Sequence, residues 1–122
     1  MLIIVDAANV VGSVPDGWWR DRAGAAERLR DALAAAGPGA LPGSDGDAVI
    51  ALVVEGAARG VRSVPGVEVI AAATNGDDAI VELCRQRGCR DTVVVTADRG
   101  LRDRVNALGG RVVGPRSLAI RR

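Results

Sequence analysis

The sequence predicts a single three-layer, Rossmann-like α/β domain spanning residues 1–122, with a parallel sheet of four to five strands and helices on both faces. Three observations predict it. Short runs rich in Val, Ile and Leu lack the polar alternation of a half-solvated sheet, so each reads as a strand buried on both faces. Between them lie segments with apolar residues at three- and four-residue steps, the spacing of a helix with one buried stripe. Strands alternating with helices require right-handed crossovers and hence a parallel sheet. A chain of 122 residues fits one domain and, at that size, buries roughly two-thirds of the surface its unfolded form exposes. No internal repeat or second domain is visible.

The elements follow in order. Residues 2–5 form an unbroken apolar run. Asp16 is placed to cap a helix in which Trp19, Ala23, Ala26, Leu29, Leu33 and Ala36 make one stripe. On this reading Trp19 belongs to the core and Trp18 lies off it. Gly37-Pro38-Gly39 ends the helix, and residues 37–47, rich in Gly, Pro and Ser, are the best candidate for disorder. Residues 48–54 and 67–71 read as the second and third strands, separated by a turn with Gly56 and Gly60. Thr74-Asn75-Gly76-Asp77 opens a second helix with Ile80, Leu83 and Cys84 inward and Gly88 as its stop. Residues 92–96 are a β-branched fourth strand, 98–108 a third helix, and 111–113 a fifth strand after Gly109-Gly110. Residues 115–122 add a short terminal turn.

Composition narrows the chemistry. There is no Phe or Tyr, and Trp18 and Trp19 are the sole aromatics, so the core must be aliphatic. Net charge is +1, without the overall basic excess of a nucleic-acid binder, yet all 16 basic residues are Arg. Arg reads phosphate bidentately; a chain rich in Ala, Gly and Arg also reaches that count through composition alone. Cys84 and Cys89, in a chain with no secretory segment, read as reduced, buried thiols of a cytoplasmic protein. The run ending at Asp6 is too short for a signal peptide or a membrane span.

In open parallel sheets, ligands bind outside the carboxyl ends of the strands. Asp6 and Asn9 follow the first strand, Glu55 the second, Thr74, Asn75, Asp77 and Asp78 the third, and Thr96 and Asp98 the fourth. Carboxylates from separate segments thus arrive at one edge. Their mutual repulsion needs an offset, and a hard divalent cation with oxygen ligands supplies it. Helix capping accounts for Asp77, Asp78 and Asp98 singly, but not for Asp6, which ends an apolar strand in mid-sheet. The absence of His excludes Ser–His–Asp and Cys–His catalysis and a zinc site. The absence of Lys excludes a P-loop, a Schiff base and the lysine-dependent receiver domains that share this fold. Ala8 disfavours the Asp-x-Asp phosphatases, and no Gly-x-Gly-x-x-Gly follows the first strand.

Ile4-Val5-Asp6-Ala7-Ala8-Asn9-Val10 resembles the opening strand and Asp-x-x-Asn motif of NYN domains in the PIN-like nuclease superfamily. Gly76-Asp77-Asp78-Ala79-Ile80-Val81 resembles their paired-aspartate helix start, and Val93-Val94-Val95-Thr96-Ala97-Asp98 their strand ending in Ser/Thr-x-Asp. Order and spacing agree from Leu2 to about Pro115. The resemblance implies a metal-dependent endoribonuclease using magnesium or manganese, with Asp6, Asp78 and Asp98 as ligands and Asn9 and Asp77 supporting them. A further acidic residue usually follows the last motif Asp by one helical turn. Arg102 stands there, and Asp103, one residue on, points about 100° away around a helix. Glu55 matches loosely an acidic ligand after the second strand. Arg99, Arg102, Arg59, Arg62, Arg20 and Arg22 are candidates for the RNA backbone, and Trp18 for stacking a base. Two other functions fit the same residues: an inactive RNA- or protein-binding module, and a metal-dependent hydrolase of nucleotides. A homodimer and an unidentified protein partner, such as an antitoxin, are left open.

Overall fold

The computed structural model describes residues 1–121; Arg122, the end of the expected terminal turn, lies outside the described residues. Five strands, β1 (Leu2–Asp6), β2 (Val49–Val54), β3 (Val67–Ala71), β4 (Thr92–Val95) and β5 (Arg111–Val113), form one fully parallel sheet in the order β3-β2-β1-β4-β5. Four helices join them: α1 (Ala7–Gly12), α2 (Arg22–Ala36), α3 (Gly76–Arg87) and α4 (Arg99–Ala107). Every residue of β1 is buried, which is why its sequence shows no alternation. The two-residue period still divides it. Ile3 and Val5 pack with Leu52, Val95, Leu29 and Leu33 on the face covered by α1 and α2. Leu2 and Ile4 pack with Val53, Val94, Ile80 and Leu101 on the face covered by α3 and α4. Burying each Val, Leu or Ile contributes about 1.5–3 kcal/mol, so two aliphatic layers hold the domain without Phe or Tyr.

Four expectations need correction. β1 runs straight into α1, a six-residue helix that no apolar period announces. The helix expected after Asp16 starts instead at Arg22, where the Asp21 side chain accepts the Gly24 N–H at 2.9 Å. Gly17, in the left-handed region at φ 84°, breaks the chain ahead of a single 3₁₀ turn over Trp18–Arg20. Asp21, extended at φ −151° and ψ 82°, separates that turn from α2, so the apolar stripe does not reach residue 19: Trp19 is 53% exposed, and Trp18 packs against the core. Residues 37–47 are folded rather than disordered. Ala40 and Leu41 are buried, Ser44 Oγ donates to the Pro38 carbonyl at 2.7 Å, and the Ala119 N–H donates to the Ala40 carbonyl. Finally, Cys84 and Cys89 are not free thiols but a disulfide. Gly88, at φ 93°, turns the chain back at the end of α3 and brings the two Cα atoms to 4.8 Å. Among the described residues no helix is long and apolar enough to cross a membrane.

Candidate active site

From β1 the chain builds β2 and β3 on one side, then returns to place β4 on the other. The connections leaving the carboxyl ends of β1 and β4 diverge there, which opens a crevice at the switch point. Asp6 is the last residue of β1, and Thr96, Ala97 and Asp98 lead out of β4.

Hydrogen bonds lock these segments together. The buried Thr96 hydroxyl donates to Asp6 Oδ2 at 2.8 Å and accepts the Asp98 N–H at 3.2 Å. Asn9, in the first turn of α1, accepts the Ala97 N–H at 2.8 Å. Asp98 caps α4, its Oδ1 accepting the Leu101 N–H at 2.9 Å. Asp-x-x-Asn and Thr-x-Asp thus form one polar joint between the two strand ends. A valine at 96 would leave the Asp6 carboxylate buried without its hydroxyl partner.

Glu55 enters from the end of β2, and its Oε2 accepts the Gly76 N–H at the start of α3. Gly76 is what permits this approach: a Cβ there would lie 2.8 Å from that oxygen. The two aspartates that follow then diverge around the helix. Asp77 is half-buried and raises the Asp6 pKa by charge repulsion. Asp78 turns away: its carboxylate accepts Arg104 at 2.9 Å and the Asn75 side-chain amide at 3.0 Å. Its backbone N–H in turn donates to Asn75 Oδ1 at 2.9 Å, the cap of α3. Asp103 is exposed and is not among the charges acting on Asp6 or Asp77.

Electrostatics separates the same groups. Burial pushes the Asp6 carboxyl up to about 6; the Thr96 hydroxyl draws it down, as does the nearby Asn9 backbone N–H, while Asp77 and Glu55 raise it further. Asp77 is raised by burial first, then by Asp98 and Glu55. Asp78 is lowered, chiefly by its hydrogen bonds from Arg104 and Asn75. Among the described residues no ion pair reaches Asp6, Glu55, Asp77 or Asp98, whereas Arg104 pairs with Asp78.

This donor set is all oxygen, net negative and partly buried, which suits a hard divalent cation. No three His, Cys, Asp or Glu side chains among the described residues stand close enough to cage one. A magnesium ion needs no such cage: one or two carboxylates suffice, with water and substrate phosphate completing the shell. Among the described residues no calcium-type or zinc-type cage is formed.

Around the crevice, Arg99 and Arg102 are exposed on the first turn of α4, and Arg59 is exposed beyond Glu55. Arg20 lies over Trp19, 6.0 Å from its ring centroid, and Arg22 over Trp18 at 5.4 Å. The Arg62 carbonyl is tied to Arg30 on α2 at 3.0 Å. Sequence reasoning missed the Arg104–Asp78 pair, which needs the packing of α4 on α3, and the contact of Glu55 with Gly76, whose one sequence signal is the glycine itself.

The sequence matches no protein-family model and no curated protein. Among solved structures, Rae1 (YacP) from Bacillus subtilis, as its W164L mutant, superposes with a TM-score of 0.72 over 95% of this chain and 70% of that one. The chain has an α/β fold like that of Rae1. At 18% identity the likeness is one of fold. The PIN domain endonuclease Utp24 is a more distant match, 14% identical, with a TM-score of 0.49 over 93% of this chain and 84% of its own. In this parallel sheet the acidic edge lies at the topological switch point, where open parallel folds bind ligands.

Proposed function

We propose that the chain is a metal-dependent endoribonuclease that hydrolyses RNA phosphodiester bonds at the edge formed by Asp6, Glu55, Asp77 and Asp98. One observation carries the reading. The Asp6 carboxylate is buried at the switch point with a neutral hydroxyl as its hydrogen-bond partner, while neighbouring carboxylates add negative charge. Such a site is stabilised by a cation that brings a phosphate with it.

Asp6, Asp77 and Asp98 are the candidates for the one or two carboxylates that would hold a magnesium or manganese ion directly, the remainder acting through bound water, with Glu55 beside them; Asp78 is better placed as the anchor of Arg104. When bound, the ion lowers the pKa of a coordinated water and offsets charge on the scissile phosphate. Asn9 and Thr96 fix the carboxylates in place. Asp77, beside Asp6 at this edge and free of any ion pair among the described residues, takes the proton of the attacking water. Arg99, Arg102, Arg59 and Arg20 contact the RNA backbone. With the cysteines paired, no thiol argument for a cytoplasmic location remains.

The test is incubation of purified protein with single-stranded RNA, single-stranded DNA and nucleotides, each with manganese and with chelator. Internal cuts in RNA that require manganese support the reading. Hydrolysis confined to nucleotides, or RNA binding with no cutting in manganese, contradicts it.

A further inference from the structure

A cavity of about 380 Å³ opens beside the acidic edge, between α1, α2 and the loops after β2 and β3. We propose that it receives one unpaired nucleobase of the bound strand, with Trp18 as its aromatic wall; this rests on the nucleic-acid reading above and adds a subsite to it. The volume lies at the small end of the range for sites that enclose small molecules, about 300–1,000 Å³. That is ample for a single base. Ala7, Val11, Ala26 and Ala58, all buried, supply an apolar lining for a ring face. Glu55 and Thr74, also in the lining, offer a carboxylate and a hydroxyl to the hydrogen-bonding edge of a base.

The aromatic side of the cavity carries the argument. Trp18 and Trp19, the chain's whole aromatic complement, stand together with ring centroids 5.9 Å apart and planes at 87°. Arg22 lies over Trp18 and also lines the cavity, so a cation sits where the phosphodiester linked to a seated base would pass. An indole, a guanidinium and a nearby cluster of carboxylates make a site for a flat, uncharged ring joined to an anion. Ala7 directly follows Asp6, and Glu55 belongs to both the cavity and the acidic edge, so the two sites are contiguous. The base seated here therefore neighbours the scissile phosphate. A base within a duplex must first leave its stack to enter, so the cavity selects single strands.

The experiment uses the Trp19→Phe protein, in which Trp18 is the sole indole, in chelator so that no strand is cut. It is titrated with an end-labelled single-stranded oligoribonucleotide, an abasic strand of equal length, and the same sequence as a duplex. The single strand should change Trp18 emission and bind more tightly than the other two. Adding Trp18→Leu, which keeps apolar bulk but removes the ring, should weaken single-strand binding by roughly 5- to 150-fold, the range that base–aromatic stacking supports. Abasic binding should stay the same, and Trp18→Phe should restore most of the loss. Thermal melts confirm that the variants are folded. A single strand that leaves Trp18 emission unchanged and binds no better than the abasic strand overturns the proposal, as does a complete failure to bind. Parallel cleavage of RNA by the parent in manganese keeps the two readings apart. Cutting without a Trp18 response refutes the cavity alone; a Trp18 response without cutting supports the cavity and refutes the nuclease.

Discussion

Asp6→Asn removes a buried charge that the fold sets against others of its own sign. The Asp6 carboxyl titrates at about 6 in the folded protein against 3.8 ordinarily. At about 1.4 kcal/mol per pH unit, holding it ionised costs the native state about 3 kcal/mol. The sign follows from the raised value. Below pH 3.8 both states are protonated and the group has no effect; the cost grows as pH rises and is complete above about pH 6. The metal-free parent should therefore lose stability relative to Asp6→Asn between about pH 4 and pH 6. The variant keeps a carbonyl oxygen for the Thr96 hydroxyl. At pH 7 in chelator it should melt as much as about 10 °C higher than the parent. Millimolar manganese should then raise the parent's melting temperature by mass action and leave the variant's unchanged. Thermal melts of both proteins at pH 4, 5, 6 and 7, with chelator and with manganese, check this. A parent–variant difference that does not change with pH, or a variant less stable than the parent at pH 7, would refute the account of Asp6 as a buried, uncompensated charge.

Three further outcomes are expected. Asp77→Asn should reduce RNA cleavage at least 100-fold, on the order of losing one positioned catalytic group, while Asp78→Asn loses less than 10-fold; rate measurements in which Asp78→Asn is the more damaging would reverse that assignment. Gly76→Ala puts a Cβ 2.8 Å from the mobile end of Glu55, which rotates away. Stability should change by less than about 1 kcal/mol because Ala favours the helix, but the manganese concentration for half-maximal cleavage should rise, and an unaltered manganese dependence would contradict the placement of Glu55. Thiol titration of protein denatured without reductant should find no free thiol. Reduction should lower stability by about 2 kcal/mol through the chain entropy of the short Cys84–Cys89 loop, and two titratable thiols would contradict the pairing.

The strands were legible because burial on both faces leaves a plain signature: residues 67–71 and 111–113 coincide with β3 and β5, and the other three differ by a residue at one end. Helix α1 was not legible, since six residues complete too few turns to show a period. The Trp pair departs from the stripe of α2 because Asp21, extended at φ −151° and ψ 82°, breaks the helical register between residues 20 and 22. At the acidic edge, strand ends told which segments arrive but not which carboxylate of Asp77-Asp78 turns inward. That choice depends on Arg104, which reaches Asp78 from another helix. Likewise, proximity of Cys84 and Cys89 follows from the turn at Gly88 rather than from their spacing.

The most direct test of the site is Asp98→Asn. Asn also caps helices well, so α4 keeps its hydrogen bond to the Leu101 N–H and the substitution removes charge without removing structure. Cleavage of one single-stranded RNA by parent and variant is compared at equal manganese, alongside binding in chelator. The predicted result is loss of cleavage with binding nearly intact, because a carboxylate attracts the cation and by itself repels phosphate. Arg99→Ala should do the reverse, weakening binding and reducing its salt dependence by about one unit of slope. Equal cleavage by parent and Asp98→Asn, or a parent that cuts as well in chelator as in manganese, would contradict a metal-dependent site at this edge.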